Sequence, residues 1–192
     1  MTTEIPVKAS TIVFVTTNQI IQYLRYFYLD SDRIYRKYEL TDCLNGELER
    51  METNLQIFLD QDAVFLNETD CNLQVSEVRQ WYLKEDFSKV LVEFVIRSTP
   101  YQLCSSPNEI TLESELEKAP YPCFSAWFFP GKVLAAKSVM TTIAKENRIL
   151  LRARTEEWIG GKDEFLFDFR RSITSENLFA KSILFSERSK QS

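Results

Sequence analysis

Residues 89–97 read Lys-Val-Leu-Val-Glu-Phe-Val-Ile-Arg, and no other stretch narrows the fold as much. Val90, Val92, Phe94 and Ile96 recur at every second position, with Glu93 and Arg97 on the alternate face. Stiff β-branched and aromatic side chains at that spacing predict a strand laid across a core. Thr99-Pro100 ends the strand, because proline cannot donate to a ladder.

The same period returns along the rest of the chain. Leu73 to Leu83 is a long candidate strand ending in Trp81-Tyr82, and Lys84 to Ser88 turns it into the central one. Ile110, Leu112 and Leu116 alternate with Glu109, Thr111, Glu113 and Glu115. Cys123 to Phe129 is a dense apolar strand closed by the turn pair Pro130-Gly131. Lys132 to Val139 and Asn147 to Arg154 read as further strands, and Gly160-Gly161 reads as a tight hairpin before Phe165, Phe167 and Phe169. Leu55, Ile57 and Leu59 alternate, break at Asp60-Gln61-Asp62 and resume at Ala63 to Leu66, which predicts a hairpin.

The N-terminal part has a different texture. Thr11 to Val15 is a short strand, and Thr16 with Gln19 can form a capping box. Ile20, Ile21, Leu24, Phe27 and Tyr28 then recur at helical spacing. Asp30-Ser31-Asp32 is a break or a second cap, Arg33 to Leu40 fits helix or strand, and Asn45-Gly46 signals a turn. The expected organisation is a strand–helix attachment over 1–52, an antiparallel β domain over 53–186 and a loose polar tail over 187–192, all in one structural unit. The expected fold is mainly β (α+β): an antiparallel β-sandwich or barrel of about nine or ten strands with an N-terminal helix packed against it.

Composition sharpens what such a body does. Fourteen Phe, eight Tyr and three Trp stand against only four Gly, so bulky strand positions abound. A net charge of −5 argues against a broadly nucleic-acid-coated surface. No apolar run is long enough to span a membrane as a helix, and the opening residues lack the pattern of a secretory signal. Cys43, Cys71, Cys104 and Cys123 form no C-x-x-C pair, which fits free thiols in a reducing, cytoplasmic setting. Without a secretory route, the sequon Asn67-Glu68-Thr69 is expected to be coincidental.

The chain has no histidine, so a Ser-His-Asp triad and imidazole-based metal sites are excluded. It has no phosphate-cradling glycine motif and no nucleophile elbow. No catalytic residue and no cofactor is assigned, and enzymatic function is disfavoured. Asp60 and Asp62, near Glu68 and Asp70, are weak candidates for a cation or acid/base site, because aspartates also favour turns. Arg148, Arg152 and Arg154, with Arg170 and Arg171, could form a basic stripe, or be neutralised by Glu109, Glu113 and Glu115 on a neighbouring strand. Tyr23, Tyr26, Tyr35 and Tyr38 interleave with basic residues. Trp81, Tyr82, Trp127 and Phe129 could line a pocket or an interface.

These readings favour a non-catalytic β-rich binding or assembly module that recognises another macromolecule, foremost a protein or a second copy of itself. The alternatives are a calycin-like barrel holding an apolar small molecule and a carboxylate- or cysteine-based enzyme. A nucleic-acid partner ranks below these.

Overall fold

The computed structural model describes residues 6–105 and 107–169. Along them run β1 Pro6–Val15, β2 Ile20–Leu29, α1 Ile34–Leu40, α2 Leu44–Leu59, β3 Ala63–Leu66, β4 Thr69–Asp70 and β5 Leu73–Tyr82. There follow β6 Lys89–Ser98, β7 Asn108–Lys118, β8 Cys123–Phe128, β9 Lys132–Lys137, β10 Thr141–Lys145, β11 Arg148–Ala153 and β12 Trp158–Asp168. The large sheet has seven strands in the order β10-β11-β8-β1-β2-β6-β5, and the small sheet five in the order β4-β3-β7-β12-β9.

The mainly-β expectation therefore holds, with two sheets rather than a closed barrel. Twelve strands replace the expected nine or ten, partly because β4 and β10 were not foreseen. Pairing is antiparallel except between β1 and β8, where Ala9 to Phe14 run alongside Cys123 to Phe128.

The expected N-terminal helix is strand β2. Its inner positions Ile20 and Tyr28 are buried, and its outer positions Ile21, Tyr23 and Phe27 are half-buried. A strand apolar on both faces loses its period of two, and its side chains then fall at helical spacing by accident. The Thr16 hydroxyl does accept from the Gln19 N–H (3.0 Å), but it also donates to the Gln19 carbonyl (2.7 Å) and closes the β1–β2 hairpin. Residues 6–29 thus supply two central strands of the large sheet.

The helices come next in the chain. Asp30, buried, accepts from the N–H groups of Ile34 (2.7 Å) and Tyr35 (3.0 Å) and so caps α1. In α2, Leu44, Met51, Leu55 and Leu59 pack inward, whereas Ile57 and Phe58 are exposed. The alternation at Leu55, Ile57 and Leu59 is therefore incidental, and Asn45-Gly46 lies within the first turn of α2.

Two cores cover the inner face of the large sheet. One joins Val13, Val15, Ile20, Trp127, Ile149 and Leu151 to Ile110, Phe165 and Phe167 of the small sheet. The other sets Val90, Val92, Phe94 and Ile96 of β6 against the helices. Gly160 and Gly161 make no hairpin; they lie inside β12, both at φ +75°. Ile159 pairs with Glu117 and Gly161 with Ser114, so Glu115 and Leu116 bulge out opposite Gly160. A Cβ on Gly160 would stand 1.9 Å from the Glu115 carbonyl oxygen.

Candidate binding face and interlayer cleft

Strand register places the outward side chains of the large sheet in rows across the strands. Ile143, Leu150, Ala126, Ile12, Tyr23 and Val95 form one apolar row spanning β10, β11, β8, β1, β2 and β6. On one side of it runs Lys145, Arg148, Phe128, Phe14, Ile21 and Arg97. On the other runs Thr141, Arg152, Phe124, Ser10, Arg25, Glu93 and Arg79. Beyond that row stand Phe27, Leu91 and Trp81, with the Lys8 ammonium 5.3 Å from the Phe27 ring centre.

Among the described residues, no helix or strand packs across this face. Phe14 is 41% exposed, Phe124 38% and Ile143 60%. Phe14 stacks on Phe128 with ring centres 5.3 Å apart and meets Tyr23 edge-on.

Charge divides the face in two. Toward β5, Arg25 donates from Nε to Glu93 Oε2 at 2.6 Å, and Arg79 lies 3.8 Å from the other Glu93 oxygen. Glu93 is only 4% exposed, so this pairing answers a charge that would otherwise be costly to bury. Toward β10, Lys8, Lys145, Arg148 and Arg152 face outward, and no aspartate or glutamate occupies an outward position on β10, β11, β8 or β1. Glu109, Glu113 and Glu115, the alternative neutralising partners, lie on β7 in the small sheet, where Lys162 comes within 3.6 Å of Glu113.

The other candidate residues separate. Trp81 is at the far edge of the same outer face, 41% exposed. Tyr82 points inward, donating to Glu39 Oε2 (3.2 Å) and meeting Phe87 edge-on; burial and the Glu39 carboxylate push its hydroxyl up to about 12. Trp127 and Phe129 are core residues, 5% and 4% exposed. Arg154 lies past the end of β11, its N–H donating to Glu157 Oε2 at 2.7 Å in a turn. Arg170 and Arg171, and the expected tail at 187–192, lie outside the described residues. The tyrosines divide likewise: Tyr23 outward, Tyr26 inward against Tyr121, and Tyr35 under α1 with Tyr38 edge-on to it.

Between the two cores the inner face is not filled. A half-open hollow of about 390 Å³ is lined by Asp60, Asp62, Asp70 and Cys71; a central one of about 200 Å³ by Asp62, Trp127, Gly160 and Asp163; and a third of about 260 Å³ by Tyr26, Glu117, Tyr121 and Cys123. Leu59, Asp62, Val64 and Leu73 are shared between the first two, and Thr11, Ser125 and Met140 between the last two, so the three hollows adjoin one another. Burial, aided by the Glu117 charge, raises the Asp62 carboxyl above its ordinary range. Burial raises Asp163 as well, against an opposing hydrogen bond from Ser138. Burial also pushes the Cys71 and Cys123 thiols up, which leaves them poorer nucleophiles than a free cysteine.

No group of three or more Cys, Asp or Glu able to hold a metal ion occurs among the described residues, and Asp60 Oδ1 is taken up by Gln56 Nε2 (2.7 Å). Among them too, no helix is long and apolar enough to cross a membrane.

No family model and no curated protein matches the sequence. Among solved structures, the chain is similar to the folded domain of the Mycobacterium tuberculosis protein LppM (Rv2171), determined by NMR. The match has 6% identity and a TM-score of 0.39, covering 88% of this chain and 93% of that one. A likeness of that size says nothing about function.

Proposed function

We propose that this protein is a non-catalytic binding module that docks a partner protein on the β10-β11-β8-β1 half of its outer face. The supporting observation is the exposed Ile143 and Phe124 with the half-buried Leu150 and Ile12, flanked by Lys8, Lys145, Arg148 and Arg152 without an acid on the same strands. An apolar centre with a charged rim is the anatomy of a protein interface. Four cations on a chain of net charge −5 select a partner with acidic side chains around an apolar centre. The acidic total charge of the chain disfavours a nucleic-acid partner relative to an acidic protein.

A photo-crosslinking residue at Phe124 or Ile143 should capture one polypeptide in cells. Purified Arg148→Glu/Arg152→Glu protein should bind that polypeptide roughly tenfold more weakly or worse, with the difference shrinking as salt rises. Crosslinks confined to RNA or lipid, or capture indifferent to charge reversal, would discard the reading.

A further inference from the structure

Strand β10 ends the large sheet, and its far edge is open. The Phe129 N–H donates to the Asn147 carbonyl (2.8 Å), which sets the hydrogen-bonding phase of β11: Ile149 and Leu151 bond to β8, and Arg148, Leu150 and Arg152 to β10. Their partners Lys145, Ile143 and Thr141 therefore bond inward, and the backbone groups of Thr142 and Ala144 point away from the sheet. At one end of this edge the Thr142 hydroxyl donates to the Met140 carbonyl (2.9 Å), and at the other the Val133 N–H donates to the Glu146 carbonyl (2.7 Å). Between them, the N–H and C=O groups of Thr142 and Ala144 have no partner among the described residues. Neither layer covers them, because Ala144 on the inner face and Ile143 on the outer face are both exposed. Along the apolar row, exposure rises toward the same edge, from buried Ala126 through half-buried Leu150 to Ile143 at 60%.

We infer that the partner presents an extended strand that adds to the free edge of β10, an inference that rests on the docking face proposed above. Backbone pairing at Thr142 and Ala144 leaves Thr141, Ile143 and Lys145 at the closely spaced, non-hydrogen-bonded positions, where side chains of adjacent strands meet. Register then dictates the outward side chains of the added strand: acidic opposite Lys145, apolar opposite Ile143 and acidic opposite Thr141. The second acid reaches over the short Thr141 to Arg152, two strand spacings or roughly 10 Å away, which an extended arginine and a glutamate span together. Arg148 stands behind Lys145 in the same way. The recognised pattern is acidic-x-apolar-x-acidic on one face of a strand. Main-chain bonds supply affinity and the three rows supply specificity.

The test uses the full chain, labelled with nitrogen-15, and three peptides. They are Thr-Glu-Thr-Val-Thr-Glu-Thr, the isomer Thr-Glu-Thr-Thr-Val-Glu-Thr with valine moved to the other face, and Thr-Lys-Thr-Val-Thr-Lys-Thr. In the free protein the Thr142 and Ala144 amides should exchange with solvent faster than those of Ile143 and Lys145. The first peptide should protect both amides and bind with a Kd tighter than about 1 mM. The isomer should bind several-fold more weakly, and the lysine peptide should not bind. Ala144→Pro removes an N–H that no strand of this protein uses, so it should keep a cooperative unfolding transition while weakening the first peptide roughly tenfold. Exchange protection reads the same pairing without any substitution. Arg148→Glu/Arg152→Glu should weaken the first peptide at least as much. Binding without protection, or undiminished by Ala144→Pro, yet lost on charge reversal would place the peptide across the face, overturning the edge inference and leaving the docking face standing. Indifference to charge reversal as well would discard both. Equal binding of the first two peptides, or no binding of any, would overturn the strand addition.

Discussion

Asp163 shows what burial of one carboxyl does to the whole chain. Its folded pKa is raised mainly by desolvation, whereas the unfolded chain titrates near the ordinary value of about 3.9. Folding therefore favours the protonated form. That contribution is complete below the unfolded pKa and is lost as pH rises through the folded one. Asp163→Asn should raise the Tm at neutral pH, and its advantage should vanish as the pH falls to about 4. Calorimetry across that range checks it, and a gap independent of pH would refute the assignment. Glycines supply a second residue-scale contrast. Gly160→Ala would drive a Cβ into the Glu115 carbonyl at a positive φ, and should cost about 2–4 kcal/mol in urea unfolding. Gly46→Ala, in the first turn of α2 with nothing within 4 Å, should stabilise by about 0.4–1 kcal/mol. Sequence alone could not tell these glycines apart, and it read Gly160-Gly161 as a hairpin, because the deciding atom is a carbonyl on β7. Trp127 was legible as a dense apolar position. Its unpaired N–H depends on what β12 sets opposite, and no local pattern encodes that.

At the scale of elements, the sequence speaks clearly where one face is dry and the other wet. In β11 the buried Ile149, Leu151 and Ala153 alternate with Arg148, Leu150 and Arg152, as the spacing alone predicts. It misleads where both faces are covered, as in β2, or where exposed apolar residues such as Ile57 and Phe58 decorate a helix. The junction after β2 shows how local chemistry resolves the ambiguity. Asp30 stops the strand and caps α1, and the β5–β6 hairpin clamps the helix from outside. Arg33 Nε donates to the Asp86 carbonyl (2.9 Å), and the Arg36 guanidinium lies 4.9 Å from the Phe87 ring centre. Asp30→Ala should therefore cost about 1–2 kcal/mol in chemical denaturation, and Asp30→Asn should recover only part of it, because one amide oxygen replaces two accepting carboxylate oxygens. Full recovery by Asn would mean that a single accepted N–H bond suffices at the helix start.

At the scale of the molecule, periodicity reports which face a side chain occupies but not which strand lies beside it. The proposed partner face is built from that missing information, since Ile143, Leu150, Ala126 and Ile12 come from four strands brought together by the order β10-β11-β8-β1. The same order governs the N-terminal segment, which texture alone reads as an attachment, within one structural unit, to a β domain beginning at residue 53. β1 lies between β2 and β8, and β2 lies between β1 and β6, so these two strands join the early and late parts of the chain. They supply Val13, Val15 and Ile20 to one core and Tyr28 to the other. Removing them would expose the paired edges of β6 and β8 together with both apolar interiors. A fragment comprising 53–192 should therefore show no cooperative urea transition and should bind a dye that reports exposed apolar surface. Adding a synthetic peptide of residues 1–30 should restore part of the transition, because a hairpin closed by Thr16 brings both missing strands in register. A fragment that folds by itself with native-like stability would show instead that the β domain is complete without them.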